Sequence, residues 1–185
     1  MRLQTLRISN FQSFGSEPTE IEFEEATYLI GHNGSGKTAV LQALCRLFSF
    51  EPSLRRILRS DFHVPFNEKE PPTERELWIE AEFEFPELGR EGENSRVPPF
   101  FRHMRLETTD GTPTMRFRLI ATMGENGDIE EQFVNVIGTN PDGGLNAVQV
   151  ARADRNLIHV HYLPAQRDPA KHIAYGANAL LGRML

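Results

Sequence analysis

The sequence predicts an α/β fold, a strand–loop–helix core that carries an antiparallel β lobe. Three observations predict it. A glycine-rich stretch, Gly31 to Thr38, lies between an apolar strand-like segment and an apolar-rich helical one. Glu76 to Phe85 alternates apolar and polar residues with the period of a strand. Beyond it, three further strand candidates are separated by strong turn signals.

The elements follow in order. Arg2 to Asn10, with apolar Leu3, Leu6 and Ile8, reads as a first strand, and Phe11-Gln12-Ser13-Phe14-Gly15 turns the chain. Thr19 to Glu24 alternates into a second strand, and Ala26-Thr27-Tyr28-Leu29-Ile30 reads as a buried third. From Ala39 to Phe50 a helix is expected, with Val40, Leu41, Leu44, Leu47 and Phe48 on one broad face. Ser53 to Ser60 reads as a short helix and Pro65 to Pro72 as a polar linker. In Glu76–Phe85, Leu77, Ile79, Ala81, Phe83 and Phe85 face one way. Trp78, Glu80, Glu82 and Glu84 face the other, the pattern of a half-solvated antiparallel strand rather than of an acid–base pair. Residues 86–100, with three prolines and two glycines, form a loop. Strands are expected at 101–109, 114–123 and 129–137, an antiparallel meander. Asn140 to Gly144 is a loop, Asn146 to Asp154 a short helix, Asn156 to Leu163 a strand and Ala170 to Leu185 a helix.

The chemistry lies in Gly31-His32-Asn33-Gly34-Ser35-Gly36-Lys37-Thr38, which fits the phosphate-binding pattern G-x-x-x-x-G-K-[ST]. With 14 glycines, three lysines and 19 serines plus threonines in 185 residues, chance supplies roughly two such matches per thousand chains. Glycines let the backbone curl so that successive N–H groups point at an anion, and the helix N-terminus adds its own free donors. Lys37 is the candidate catalytic residue, reaching the β- and γ-phosphate oxygens, and the Thr38 hydroxyl is placed to ligate Mg²⁺. The pattern leaves the roles of Asn33 and Ser35 open.

Composition bounds the rest. Apolar residues make up 39% and charged ones 25%, ordinary for a soluble globular chain of one domain. Nothing approaches the ~18 apolar residues of a membrane span. Cys45, the one cysteine, is expected to be buried and unpaired in a reducing cytoplasm. The net charge of −6 argues against a basic DNA-gripping face on this piece alone. Glutamates crowd Glu17–Glu25 and Glu68–Glu93, whereas residues 149–185 are basic through Arg152, Arg155, Arg167, Lys171 and Arg183. A shorter patch, Arg55-Arg56 with Arg59, suits either phosphate contact or a helix end.

Hydrolysis also needs an acidic residue at the end of an apolar strand. No run of four apolar residues followed by Asp or Glu occurs. Asp142-Gly143-Gly144-Leu145-Asn146 imitates a signature loop, but Pro164-Ala165 stand where the carboxylates would follow. His159 and His161 share a strand face without a second ligand pair, so a polar cleft is expected there rather than a metal.

A P-loop core with an antiparallel lobe resembles the N-terminal half of an ABC-type ATPase head. More specifically, the chain resembles the ATPase domain of the OLD (overcoming lysogenization defect) family, related to RecF and SMC ATPases. Three elements carry the likeness: the opening Asn10-Phe11-Gln12-Ser13-Phe14, the Gly-x-Asn-Gly-x-Gly-Lys-Thr form of the P-loop, and the segments Ser60-Asp61-Phe62-His63 and Tyr162-Leu163-Pro164-Ala165-Gln166-Arg167-Asp168-Pro169. The resemblance implies ATP with Mg²⁺ as cofactors and a homodimer of ATPase heads that sandwiches the nucleotide. It also implies a DNA-directed, endonuclease-type activity in phage defence. It places the Asn10–Phe14 turn near the nucleotide, with Phe11 and Phe14 either approaching the base or closing the lobe as a buried pair. It makes Gln166 the candidate glutamine beside Mg²⁺ and the γ-phosphate. The acidic strand, signature loop and Toprim nuclease domain of that family are absent from residues 1–185. The expectation is therefore an N-terminal portion of a longer protein or, alternatively, a standalone subunit completed by a partner.

Overall fold

The computed structural model describes residues 1–69, 72–85, 107–109 and 112–163. Among them, seven strands form one antiparallel sheet: β1 (Arg2–Ser9), β2 (Thr19–Glu22), β3 (Glu74–Glu84), β4 (Glu107–Thr109), β5 (Thr112–Gly124), β6 (Ile129–Thr139) and β7 (Leu145–Gln149). The spatial order is β2-β1-β3-β5-β6-β7, and β4 folds back onto the start of β5. Helix α1 (Lys37–Phe48) follows the glycine loop, with short helices α2 (Pro52–Arg55) and α3 (Arg152–Arg155) near its far end. The α/β prediction holds. No helix among the described residues is long and apolar enough to cross a membrane.

The period-2 pattern gives the sheet one apolar face. Leu6 and Ile8 of β1 pair in register with Ala81 and Ile79 of β3, which pair with Phe117 and Leu119 of β5. All six side chains are buried. Helix α1 covers this face with Val40, Ala43, Leu44, Leu47 and Phe48. The Phe48 ring meets Phe83, Phe117 and Phe133 edge-on at centroid distances of 5.6, 5.9 and 5.9 Å, a geometry that adds to area burial. Leu41, expected on that face, is 41% exposed, and Ala43 takes its place. Cys45 is buried and free, and burial pushes its thiol pKa up.

The opposite face is not the solvated surface that the alternation suggested. Glu80 is 1% and Glu82 9% exposed. Arg7 Nη1 donates to Glu82 at 2.6 Å and to Glu80 at 3.1 Å, while Arg118 Nε donates to Glu80 at 2.8 Å. Arg118 also lies 4.2 Å over the Trp78 ring. Burial works against the Arg7 charge, but its hydrogen bonds to Glu82 and Glu20 outweigh it and raise the pKa of the guanidinium. A buried carboxylate persists only when paired in this way.

Four other expectations are corrected. Residues 26–30 form no strand; Tyr28 is 82% and Ile30 93% exposed, because no described strand lies alongside to pair with them. The helix expected over 53–60 is α2 plus a 3-10 turn at Arg59–Asp61. The helix expected over 146–154 is strand β7 followed by α3, since backbone pairing with β6 overrides local pattern. The strand expected over 156–163 is reduced to one parallel bridge, Ser49 with Val160. The loop at 86–100, most of the strand at 101–109 and the helix at 170–185 lie outside the described residues.

Candidate nucleotide-binding site

The glycine loop runs into α1 through Gly36, the helix N-cap, at φ 87°. A Cβ there would lie 3.0 Å from Phe14 Cζ and 3.0 Å from Ser13 Oγ, so backbone conformation and close approach both require glycine. No side chain caps α1, and its first turn holds no acidic residue. The orphan amides of that turn therefore point outward with the positive end of the helix dipole, ready for an anion. Lys37 Nζ curls back and donates to the carbonyls of Gly31 and His32, both at 2.7 Å. Ser35 N donates to His32 O at 3.2 Å and tightens the loop. Asn33, Gly34, Lys37 and Thr38 line a cavity of about 310 Å³, with Gln12 and Ser13 on its other wall.

The resemblance put the Asn10–Phe14 turn here, but through Phe11 and Phe14 rather than through Gln12 and Ser13. The turn that carries them is built from two left-handed residues, Asn10 at φ 53° and Gln12 at φ 51°. Asn tolerates that region, whereas Gln is strained there at a cost of ~1–2 kcal/mol. The surroundings hold it. Gln12 N donates to Asp61 O at 2.7 Å, and Gln12 Nε2 donates to Asp61 Oδ1 at 3.0 Å and to Gln42 Oε1 on α1. His63 Nδ1 donates to Gln12 O at 2.7 Å. Asp61 is 1% exposed and accepts Arg46 Nε of α1 at 2.7 Å. One buried ion pair thus ties turn and helix together.

Of the aromatic pair, Phe11 is fully buried and bridges Phe62, whereas Phe14 stands against Gly36 at the loop. Gln166 lies outside the described residues. His159 and His161 sit against Phe50, with centroid distances of 5.2 and 5.4 Å, just beyond the C-terminal end of α1 and so away from the loop. Among the described residues, no group of three His, Cys, Asp or Glu is placed to hold a metal ion. Asp142-Gly143-Gly144 is the tight connection between β6 and β7, closed by Asn140 N donating to Gly144 O at 2.8 Å. The donor set fits a triphosphate with its cation: free amides, one ammonium and the hydroxyls of Ser13 and Thr38, with no carboxylate among the described lining residues to repel it.

A family model described as "AAA ATPase domain" matches residues 1–137. No curated protein matches the chain. Three solved structures share low identity with it. One comes from work on the ATP-driven dimerization and DNA-stimulated activation of SMC ATPases (17% identity, TM-score 0.49, covering 85% of this chain and 77% of that one). The second is an SmcHead bound to the C-winged helix domain of ScpA (18%, 0.45, 85% and 40%). The third is an Smc head domain with an extended coiled coil bound to the C-terminal domain of ScpA, derived from Pyrococcus furiosus (14%, 0.42, 84% and 32%). The chain spans less than half the length of the latter two.

Proposed function

The chain belongs to the AAA ATPase domain family, and from that premise we propose that Gly31–Thr38 binds ATP with Mg²⁺ as one half of a composite hydrolytic site. The uncapped N-terminus of α1, facing a cavity walled by Lys37, Thr38 and the Gln12–Ser13 turn, carries this reading. The loop amides from Asn33 to Gly36 would cradle the phosphates. Lys37 would exchange the carbonyls of Gly31 and His32 for β- and γ-phosphate oxygens, and Thr38 would hold Mg²⁺, with Gln166 as a second candidate partner of the ion. Bound Mg²⁺ supplies charge neutralisation on the phosphates.

Among the described residues the cavity lining carries no carboxylate, and Gly31 to Ser35 are exposed. Both observations support completion of the site by a second surface, in our reading another copy of the same head. We read residues 1–185 as the N-terminal portion of an ABC-type ATPase domain acting in the cytoplasm. The resemblance to OLD proteins supports a DNA-directed, endonuclease-type step gated by ATP and serving phage defence. A second reading, a head that switches dimerisation or partner binding without nuclease action, is favoured by the same lack of a carboxylate. Sustained ATP binding without DNA cleavage in the complete assembly selects it.

Calorimetric titration of the chain with ATP and Mg²⁺ tests the site. ATP binds at the glycine loop, and Lys37→Ala weakens that binding step about 10- to 100-fold, the worth of a charge-assisted contact. Undiminished affinity in that variant overturns the assignment. The chain alone turns ATP over negligibly; brisk Mg²⁺-dependent hydrolysis contradicts the composite site.

A further inference from the structure

Four arginines meet at the end of α1 that points away from the glycine loop. Arg55 ends α2, Arg56 follows it, and Arg152 and Arg155 begin and end α3. All four line one cavity of about 580 Å³, with Ile129 and Glu131 of β6 opposite. Two of them are fixed in place. Arg155 Nε donates to Leu47 O at 2.8 Å and its Nη2 to Arg46 O, with the guanidinium 4.4 Å over the Phe133 ring. Arg55 donates to Ser49 O and to Asn156 Oδ1. These bonds satisfy the last carbonyls of α1, where cations are favoured.

That role needs two arginines, not four. Arg56 and Arg152 take no part in those bonds and stand exposed at the rim. The one acidic lining residue, Glu131, spends one oxygen on Ile57 N at 2.9 Å. Lining side chains therefore carry a net charge of three positive. Burial first and the neighbouring Arg55 next push the pKa of Arg155 down to about 10, and burial lowers that of Arg55. Like charges crowded in this way disfavour one another, and a bound anion would relieve the repulsion.

We infer that this cavity is a second anion site, taking a compact, multiply charged phosphate chain, either free oligophosphate or the tail of a nucleotide. Planar guanidinium forks match paired phosphate oxygens, and the inner pair is already pre-oriented. A long nucleic-acid backbone is disfavoured, because the β5–β6 connection that leads into Ile129 at the cavity carries exposed Glu125 and Asp128. The site is distinct from the glycine loop: the twelve residues of α1 separate the two by roughly 18 Å.

The test uses the full chain carrying Lys37→Ala, so that the glycine loop does not compete, titrated with sodium tripolyphosphate without Mg²⁺. One equivalent binds, and adding Arg56→Glu with Arg152→Glu weakens it at least tenfold. Both rim positions are exposed; should the double Glu variant lose its cooperative urea transition, Arg56→Gln with Arg152→Gln replaces it and still weakens binding. No binding, or binding that neither pair alters, overturns the proposal. ATP as the titrant separates the sources: equal affinity means that the phosphate chain alone is read, and tighter binding means a nucleotide. A 30-base-pair duplex that binds through the same arginines more tightly than tripolyphosphate marks a nucleic-acid surface and overturns the compact-anion reading.

Discussion

Gln12 shows what a single residue contributes to this site. Its left-handed backbone costs free energy locally, and Asp61, 49 positions away, offsets that cost with a backbone and a side-chain contact. Asp61 also holds Arg46, so its removal leaves a buried guanidinium without its carboxylate. Asp61→Ala should lower unfolding free energy in urea by about 3–5 kcal/mol, the range for breaking a buried pair. It should weaken ATP binding too, because the turn loses its anchor; unchanged stability would remove Asp61 from this role. The resemblance put the Asn10–Phe14 turn near the nucleotide but pointed to its phenylalanines; that Gln12 and Ser13 are the residues lining the cavity was not legible, because the turn's conformation depends on a contact 49 residues distant. Gly31 to Thr38 was legible because phosphate chemistry demands those residue types at fixed spacing within eight positions. Cys45 offers a separate check at this scale. Burial and the raised pKa of its thiol predict slow labelling of the native chain by a disulfide reagent and prompt labelling in denaturant.

At the scale of elements, α1 joins the two tasks of the chain: its first turn faces the candidate phosphate site and its last turn packs the core. Phe48, 1% exposed among three other phenylalanines, anchors that last turn. Phe48→Ala should destabilise the chain by about 3–5 kcal/mol, read from the urea midpoint at constant slope; a loss under ~1 kcal/mol would mean that α1 is held elsewhere. β3 was legible from its alternation, β1 from its apolar Leu3, Leu6 and Ile8, and β5 and β6 from the turn signals that bound them. β7 was not, because none of its five side chains is buried, so no apolar face marks it as a strand. The Glu80–Glu82 face was misread for a related reason. Alternation separates the two faces of a strand without saying what covers each, and Arg7 and Arg118 come opposite Glu80 only once the register is known.

Over the whole molecule, an antiparallel sheet, a helix across it and a glycine loop at the helix start make the α/β P-loop ATPase fold that the element order predicted. What stayed illegible is mostly what long-range pairing decides. Residues 26–30 have the composition of a buried strand, yet no described strand pairs with them and Ile30 remains 93% exposed. The same geometry leaves the candidate site open on one side, which is why its completion by a second copy is part of the proposal.

In the proposed site the phosphates of ATP lie between the loop and the Gln12–Ser13 turn. Amide hydrogen exchange of the full chain, with and without ATP and Mg²⁺, tests it most directly. Exchange at residues 31–38 and 12–14 should slow on nucleotide binding, and the slowing should be lost in Lys37→Ala. Unchanged exchange in both segments while ATP is bound would contradict it.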